Sequence, residues 1–396
     1  MDITISPRPL RGDIAIIPSK SQAHRLLICA AFADRPTHLH CPETNRDMDA
    51  TADCLRALGA RIEISDSGYT VYPAETIPQK AELNCCESGS TLRFLLPVVG
   101  ALGVDGTFLM EGRLPHRPLS PLWEEMERMG CVLTRPTENS IRCQGQLKAG
   151  YYRIDGGISS QFITGLLLGL SLLNNRSTLE ITGKVESRPY ITLTKNAMGI
   201  FGADGDKLGS RRFCSPGELA VEGDWSNGAF FLTANSIGST LNIRGLSPAS
   251  AQGDRAVVEI LKQIENGRPT VSAAHIPDLV PILSVAAACK QGAVFTDIAR
   301  LRLKESDRVA TVCNMLKALG GKTAATEHTL TVHPCRFTGG VVDACGDHRI
   351  AMSAAIAATA ASNPVTVLGA QCASKSYPRF WEEYKRLGGC YEQYIR

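Results

Sequence analysis

Apolar positions along this chain fall into two interleaved series of helices. The first series is apolar nearly all round, as in the runs Phe162 to Leu173 and Leu279 to Ala288. A helix without a polar face has to be buried. Each of these helices opens on a small polar cluster: Ser19-Lys20-Ser21, Ser88-Gly89-Ser90, Ser159-Ser160-Gln161, Asp224-Trp225-Ser226, Pro277-Asp278 and Asp347-His348-Arg349. Counted from Ser19, Ser88, Ser159, Asp224, Asp278 and Asp347, the starts recur at intervals of 69, 71, 65, 54 and 69 residues. The second series is amphipathic: Asp47 to Gly59, Pro118 to Gly130, Pro189 to Gly202, Asp254 to Gly267, Asp307 to Gly320 and Pro378 to Gly388. Pro or Asp at the start and Gly at the end are helix punctuation. The terminal glycines are spaced 71, 72, 65, 53 and 68 residues apart. The shared rhythm, including the same short interval, marks an internal repeat. Between the helices lie short β-rich runs. Arg61 to Ile64 and Tyr69 to Tyr72 flank Ser67-Gly68 and read as a hairpin, and Thr329 to Val332 and Val365 to Val367 are similar. Six units of strand, buried helix, strand, amphipathic helix and hairpin suggest two domains of three units each.

Composition narrows the function. A chain of 396 residues has room for two ordinary domains. With 6% aromatics and a net charge of +3, neither a base-stacking platform nor a general basic face is expected, so nucleic acid is not a partner. The 14 cysteines include no C-x-x-C pair, and Cys85-Cys86 is too tight for a zinc knuckle. They read as scattered thiols of a reducing, cytoplasmic compartment, with no metal site. The start Met1 to Ser6 has neither the basic nor the apolar region of a signal peptide, and no apolar stretch reaches membrane-spanning length. No Walker A loop, strand-borne G-x-G-x-x-G, H-E-x-x-H or G-x-S-x-G is present, which disfavours NTPases, dinucleotide enzymes, zinc proteases and α/β-hydrolases.

The chemistry concentrates at the helix starts. A helix N-terminus has unpaired N–H groups and a partial positive charge, and it binds phosphate or carboxylate well. Lys20-Ser21 with Arg25, Ser88-Gly89-Ser90-Thr91 with Arg93, Ser159-Ser160-Gln161, and Asp347-His348-Arg349 are richer than a single cap requires. Arg117, Lys304, Arg308 and Lys375 precede or open amphipathic helices, and Ser187 stands before Arg188-Pro189. Each feature alone has a plain reading as a solvated cap. Helix starts aimed at one cleft would turn them into a site for more than one anionic group. Asp278 and Glu305 are the candidate acids. The plain reading of Asp278 is an N-cap, and the functional one is a base among cations.

Nine ordered segments resemble the enolpyruvyl transferase family, over nearly the whole chain. They are Pro18-Ser19-Lys20-Ser21 with Arg25, Ser88 to Arg93, Arg113 to Pro118, Ser159 to Phe162, Ser187 to Tyr190, His275 to Asp278, Lys304 to Arg308, Gly346 to Arg349, and Ala373 to Ser376. The resemblance implies an α/β fold, a two-domain inside-out α/β barrel of six βαβαββ units, three per domain. One domain is residues 1–17 plus 223–396 (the phosphoenolpyruvate side, with Asp278 and Glu305). The inserted domain is 18–222 (the shikimate 3-phosphate side). Helix starts would face the interdomain cleft, which domain closure would seal from water.

The implied reaction moves the enolpyruvyl group of phosphoenolpyruvate to the 5-hydroxyl of shikimate 3-phosphate. It releases phosphate through a tetrahedral intermediate, without metal or organic cofactor, in a monomer. By the resemblance, Lys20, Ser21, Arg25, Ser159, Ser160, Gln161, Ser187, Asp278 and Lys304 bind shikimate 3-phosphate. Lys20, Gly89, Arg93, Arg117, Gln161, Arg308, Arg349 and Lys375 bind phosphoenolpyruvate. Asp278, Glu305 and Lys20 are catalytic: Asp278 takes the proton of the hydroxyl, and Glu305 or a lysine protonates the methylene carbon. Three positions depart from the commoner family pattern: Glu87, His24 (often Asn) and Arg300 (often Asn). The rival readings are the sister enzyme acting on UDP-N-acetylglucosamine, a non-catalytic anion-binding homologue, and an RNA-end cyclase. The first usually carries a reactive Cys in the arginine loop and Lys-Asn at the opening motif. Here Glu111 to Arg117 contains no Cys, and Lys20 is followed by Ser21. Asp278 and Glu305 argue against the second, and the sparse aromatic and basic stretches against the third.

Overall fold

Serine and aspartate start the buried helices because their side chains accept the N–H groups that a first turn leaves unpaired. The computed structural model describes residues 1–209 and 213–394. Its helices are α1 (Lys20–Ala31), α2 (Arg46–Ala57), α3 (Gly89–Leu102), α4 (Leu122–Arg128), α5 (Ser160–Ser171), α6 (Arg188–Ile200), α7 (Trp225–Ser236), α8 (Val257–Asn266), α9 (Val280–Cys289), α10 (Arg308–Ala318), α11 (His348–Ala358) and α12 (Phe380–Arg386). Ser19, Ser88, Ser159, Asp224 and Asp347 cap α1, α3, α5, α7 and α11 through their side chains. Helix α9 is the exception. Its cap is Leu279, with no side-chain bond, so Asp278 is not an N-cap. Of the six glycines expected to end the amphipathic helices, five have φ between 71 and 113, while Gly267 is extended at φ 172. No helix among the described residues is long and apolar enough to cross a membrane.

The chain divides into two compact units, Met1–Ile17 with Gly223–Arg396, and Pro18–Glu222. Each has its own apolar core. In Pro18–Glu222 the core holds α1, α3 and α5, and α3 packs closely on α5. That approach needs glycine. A Cβ on Gly165 would collide with the Arg93 carbonyl, and one on Gly169 would stand 2.6 Å from the Pro97 carbonyl. In the other unit α7, α9 and α11 pack on one another around alanine-rich faces.

The sheets show how the repeat is wired. Lys80–Asn84 pairs parallel with Asp105–Leu109, which pairs antiparallel with Ser140–Gly145, which pairs with Cys131–Thr134. Thr270–Ser272, Ala293–Thr296, Thr329–Val332 and Thr323–Ala325 repeat this order. In two further sheets one strand comes from a remote part of the chain. Glu218–Ala220 supplies the parallel edge beside Thr37–His40, and Asp2–Ser6 fills the hairpin position between Val365–Leu368 and Cys390–Tyr394. The remaining unit on each side keeps only its parallel pair among the described residues: Tyr151–Asp155 with Thr178–Thr182, and Arg11–Ala15 with Thr240–Arg244. Among the described residues the six-unit plan is therefore complete in four sheets and shortened in two.

Candidate active site

In Pro18–Glu222 the starts of α1, α3 and α5 carry the polar groups. Lys20 opens α1, and its ammonium binds the Asp47 carboxylate at 2.8 Å. Arg25, one turn on, is 2% exposed. Its guanidinium donates to Thr194 Oγ1 (2.8 Å), the Ser21 carbonyl (2.5 Å), Thr164 Oγ1 (3.2 Å) and the Tyr190 carbonyl (3.2 Å). It thus ties α1 to α5 and α6 beneath the helix starts. Burial lowers its pKa to about 10, which leaves it charged at neutral pH. Arg93 donates to Gln161 Oε1 at 2.5 Å and to the Pro118 carbonyl at 2.9 Å, and Gln161 donates to Ser90 Oγ at 3.1 Å. These bonds lace α3 to α5.

The Arg117 guanidinium lies across Gly89, where an added Cβ would stand 2.6 Å from its NH1 and 3.3 Å from NH1 of Arg93. Among the described residues the Arg117 side chain has no hydrogen bond or ion pair. An uncommitted fork-shaped cation over a glycine at a helix start suits a bound carboxylate or phosphate. Ser159 and Ser160 sit at the α5 start, both buried. Ser187 is buried and left-handed at φ 54, just before α6. The sequence candidates Lys20, Ser21 and Arg25 are thus joined on α1, and Gly89, Arg93, Arg117 and Gln161 form a second group.

The other unit holds an ion cluster built around Arg308, whose side chain is 1% exposed. Its Nε donates to Asp347 Oδ2 at 2.9 Å, NH1 to Asp278 Oδ1 at 2.5 Å, and NH2 to Glu305 Oε2 at 2.8 Å. Asp278 also receives Lys304 Nζ at 3.3 Å and Arg349 NH2 at 3.2 Å. Burial alone would raise the Asp278 pKa, but Arg349, Lys304 and Arg308 together hold it well below the usual carboxylate range. Asp347 does two jobs. It caps α11 through the Arg349 N–H, and it anchors Arg308 while accepting from Ser306 Oγ at 2.9 Å. Burial depresses the Lys304 pKa to about 8. Asp278 opposes that shift, and the charges of Arg308 and Arg300 add to it. Lys375 ends the short 3-10 helix Ala370–Lys375, which packs on α11.

Several residues of these clusters were not among the sequence candidates. Asp47 reads in sequence as an ordinary first-turn acid. Asp254 is buried and accepts from the Ser226 hydroxyl. Burial, with the Asp278 charge added, raises its pKa to about 6 against the pull of Arg349. Glu87, the extra acid beside Gly89, lies over Gly112 of the arginine loop, where any Cβ would collide with its carboxyl.

A family model described as "EPSP synthase (3-phosphoshikimate 1-carboxyvinyltransferase)" matches residues 5–272 and 267–384. The chain belongs to the EPSP synthase family. Curated relatives named 3-phosphoshikimate 1-carboxyvinyltransferase agree. One from Clostridium kluyveri is 35% identical, covering 98% of this chain and 97% of the relative. One from Clostridium botulinum is 36% identical, covering 98% of each. An EPSP synthase structure from Acinetobacter baumannii superposes with a TM-score of 0.80 at 24% identity, covering 99% of this chain and all of that one. The enolpyruvyl transferase NikO from Streptomyces tendae gives 0.78 at 18% identity, covering 99% and 98%. At those identities the likeness establishes the fold. Family membership separates this chain from the UDP-sugar branch that motif reading kept as a rival.

Proposed function

We propose that the two clusters hold the reactants of 3-phosphoshikimate 1-carboxyvinyl transfer, an alkyl transfer in the shikimate pathway to chorismate and the aromatic amino acids. Two observations, one in each unit, support the reading: an uncommitted Arg117 over Gly89, and a carboxylate, Asp278, held by Lys304, Arg308 and Arg349. The first suits an anion. The second suits a base whose counter-charges a ligand can claim. Shikimate 3-phosphate is assigned to Lys20, Ser21, Ser159, Ser160, Gln161, Ser187, Asp278 and Lys304, with Arg25 adding its charge beneath the α1 start. Phosphoenolpyruvate is assigned to Lys20, Gly89, Arg93, Arg117, Gln161, Arg349 and Lys375. Arg308 joins this set by exchanging a carboxylate partner for an anionic oxygen of the ligand. The enzyme acts as a cytoplasmic monomer.

In the reaction the 5-hydroxyl oxygen bonds to C2 of phosphoenolpyruvate while C3 gains a proton. C3 then returns a proton to the Glu305 carboxylate as the bond from C2 to the phosphate oxygen breaks, and phosphate leaves. Asp278 accepts the hydroxyl proton. In the unliganded state it is a weak base, because three cations stabilise its charge. When ligand anions take over Arg349 and Lys304, that stabilisation falls and its basicity rises. Glu305 supplies the proton to C3, and Lys20 is the catalytic cation. Asp278 and Glu305 share the Arg308 guanidinium, so their protons move as a coupled set.

The test is the pH dependence of shikimate 3-phosphate binding, read by calorimetry. Lys304 loses its charge as pH rises through about 8. Affinity should therefore fall roughly tenfold between pH 7 and 9.5, the scale of one charge-assisted hydrogen bond. Lys304→Met should bind weakly at both values, with no step. A wild-type affinity flat across that range would remove Lys304 from the site.

A further inference from the structure

One departure from the family pattern leads into a buried hydroxyl chain. His24 Nδ1 lies 2.7 Å from Thr51 Oγ1, Thr51 Oγ1 lies 2.7 Å from Thr91 Oγ1, and Thr91 Oγ1 donates to Ser88 Oγ at 2.7 Å. All four residues are at most 1% exposed. The chain links the middle of α1 to α2 and ends on the side chain that caps α3, next to Gly89. Ser88 Oγ also accepts the Thr91 backbone N–H at 3.2 Å.

Proton counting fixes the direction. A threonine hydroxyl carries one proton. Thr91 gives its proton to Ser88, so Thr51 must give its own to Thr91, and Thr51 must then receive from His24 Nδ1–H. The ring is left with a bare Nε2, which has no partner. The opposite direction would leave a buried Nε2–H without an acceptor, and orphaned buried N–H groups are rarer than under-used acceptors. Burial also pushes the His24 pKa down to about 3, so the ring stays neutral. Asp47, Lys20 and Arg25 are the charged groups that act on it. Its ring meets Phe94 edge to face, with centroids 6.2 Å apart.

We infer that His24, Thr51 and Thr91 are positioning residues: their directed hydrogen-bond chain sets the first turn of α3, and with it the anion geometry at Gly89. Broken at Thr51, the chain leaves Thr91 Oγ1 without its donor, and α2 then reaches the α3 hydroxyls only through the longer bond from Thr91 Oγ1 to the Asp47 carbonyl, 3.4 Å. The inference rests on the assignment of phosphoenolpyruvate to Gly89 and Arg117, so its test has one arm that does not.

That arm is long-range proton–nitrogen NMR of the wild-type protein. His24 should show a protonated Nδ1 and a bare Nε2, unchanged from about pH 5.5 to 8.5, since its pKa lies far below that window. An Nε2–H tautomer, or a titrating ring, overturns the chain whatever the substrate. The second arm is kinetic. Thr51→Val should raise the KM for phosphoenolpyruvate roughly tenfold, with kcat and the KM for shikimate 3-phosphate within about twofold, and Thr51→Ser should restore it. Parallel loss of kcat and both affinities, or no difference between the Val and Ser variants, contradicts a positioning role. Thr91→Val repeats the break from α3 should Thr51→Val fail to fold.

Discussion

Replacing Asp278 with asparagine should lower kcat at least about a hundredfold while both substrates still bind, because the change removes the proposed general base and keeps the side-chain volume. The structure explains why this position is so exposed to substitution. Its carboxylate does not cap a helix, and it takes Arg308, Lys304 and Arg349 at 2.5, 3.3 and 3.2 Å. The amide cannot accept a proton, and it withdraws a negative charge that three cations share. A secondary effect follows. With Asp278 neutral, the cations are less occupied, so anion affinity should hold or rise. Steady-state kinetics with calorimetry separate the two effects. Near-normal kcat in the asparagine variant takes Asp278 out of the mechanism.

Arg308→Met has the largest expected effect on stability, a loss of roughly 3–5 kcal/mol, the cost of leaving buried charges without their partner. Arg308 is the common partner of Asp347, Glu305 and Asp278, and the first of these is 0% exposed. Methionine preserves much of the volume, so the deficit reports charge rather than a cavity. Urea unfolding of the two proteins measures it. The deficit should shrink as pH falls and the carboxylates protonate. Asp347 and Asp278 are held below the ordinary carboxylate pKa in the folded protein, so the stability they provide is present above that pKa and lost as pH drops through their folded values. A variant within about 1 kcal/mol of wild type would show that the cluster contributes little beyond what surface pairs do.

The helix starts were legible because punctuation is local. Ser19, Ser88, Ser159, Asp224 and Asp347 each precede an apolar run, and each caps it. Asp278 fits the same pattern in sequence and departs from it in space, since the cap of α9 is the next residue, Leu279. The rhythm showed six units but not the exchange of strands. Asp2–Ser6 joins Val365–Leu368 from the far end of the chain, and no periodicity signals a partner that distant. The cluster centred on Arg308 was visible only as separate candidates. Asp278 and Arg308 stand before and at the starts of two helices of one repeat, Asp347 stands before a helix of the next, and only folding brings them within hydrogen-bond reach. Asp47, Thr51 and Thr91 were hidden for another reason. Each looks like ordinary helix composition, and its role depends on a neighbour contributed by another helix.

The proposed work of the helix-start anion site and of the Asp278 cluster is enolpyruvyl transfer to shikimate 3-phosphate. Phosphate release from phosphoenolpyruvate tests it most directly, with the organic product identified by mass. Release is expected only when shikimate 3-phosphate is present, in one-to-one yield with the enol ether. Release with UDP-N-acetylglucosamine in its place, or none with shikimate 3-phosphate, would contradict it.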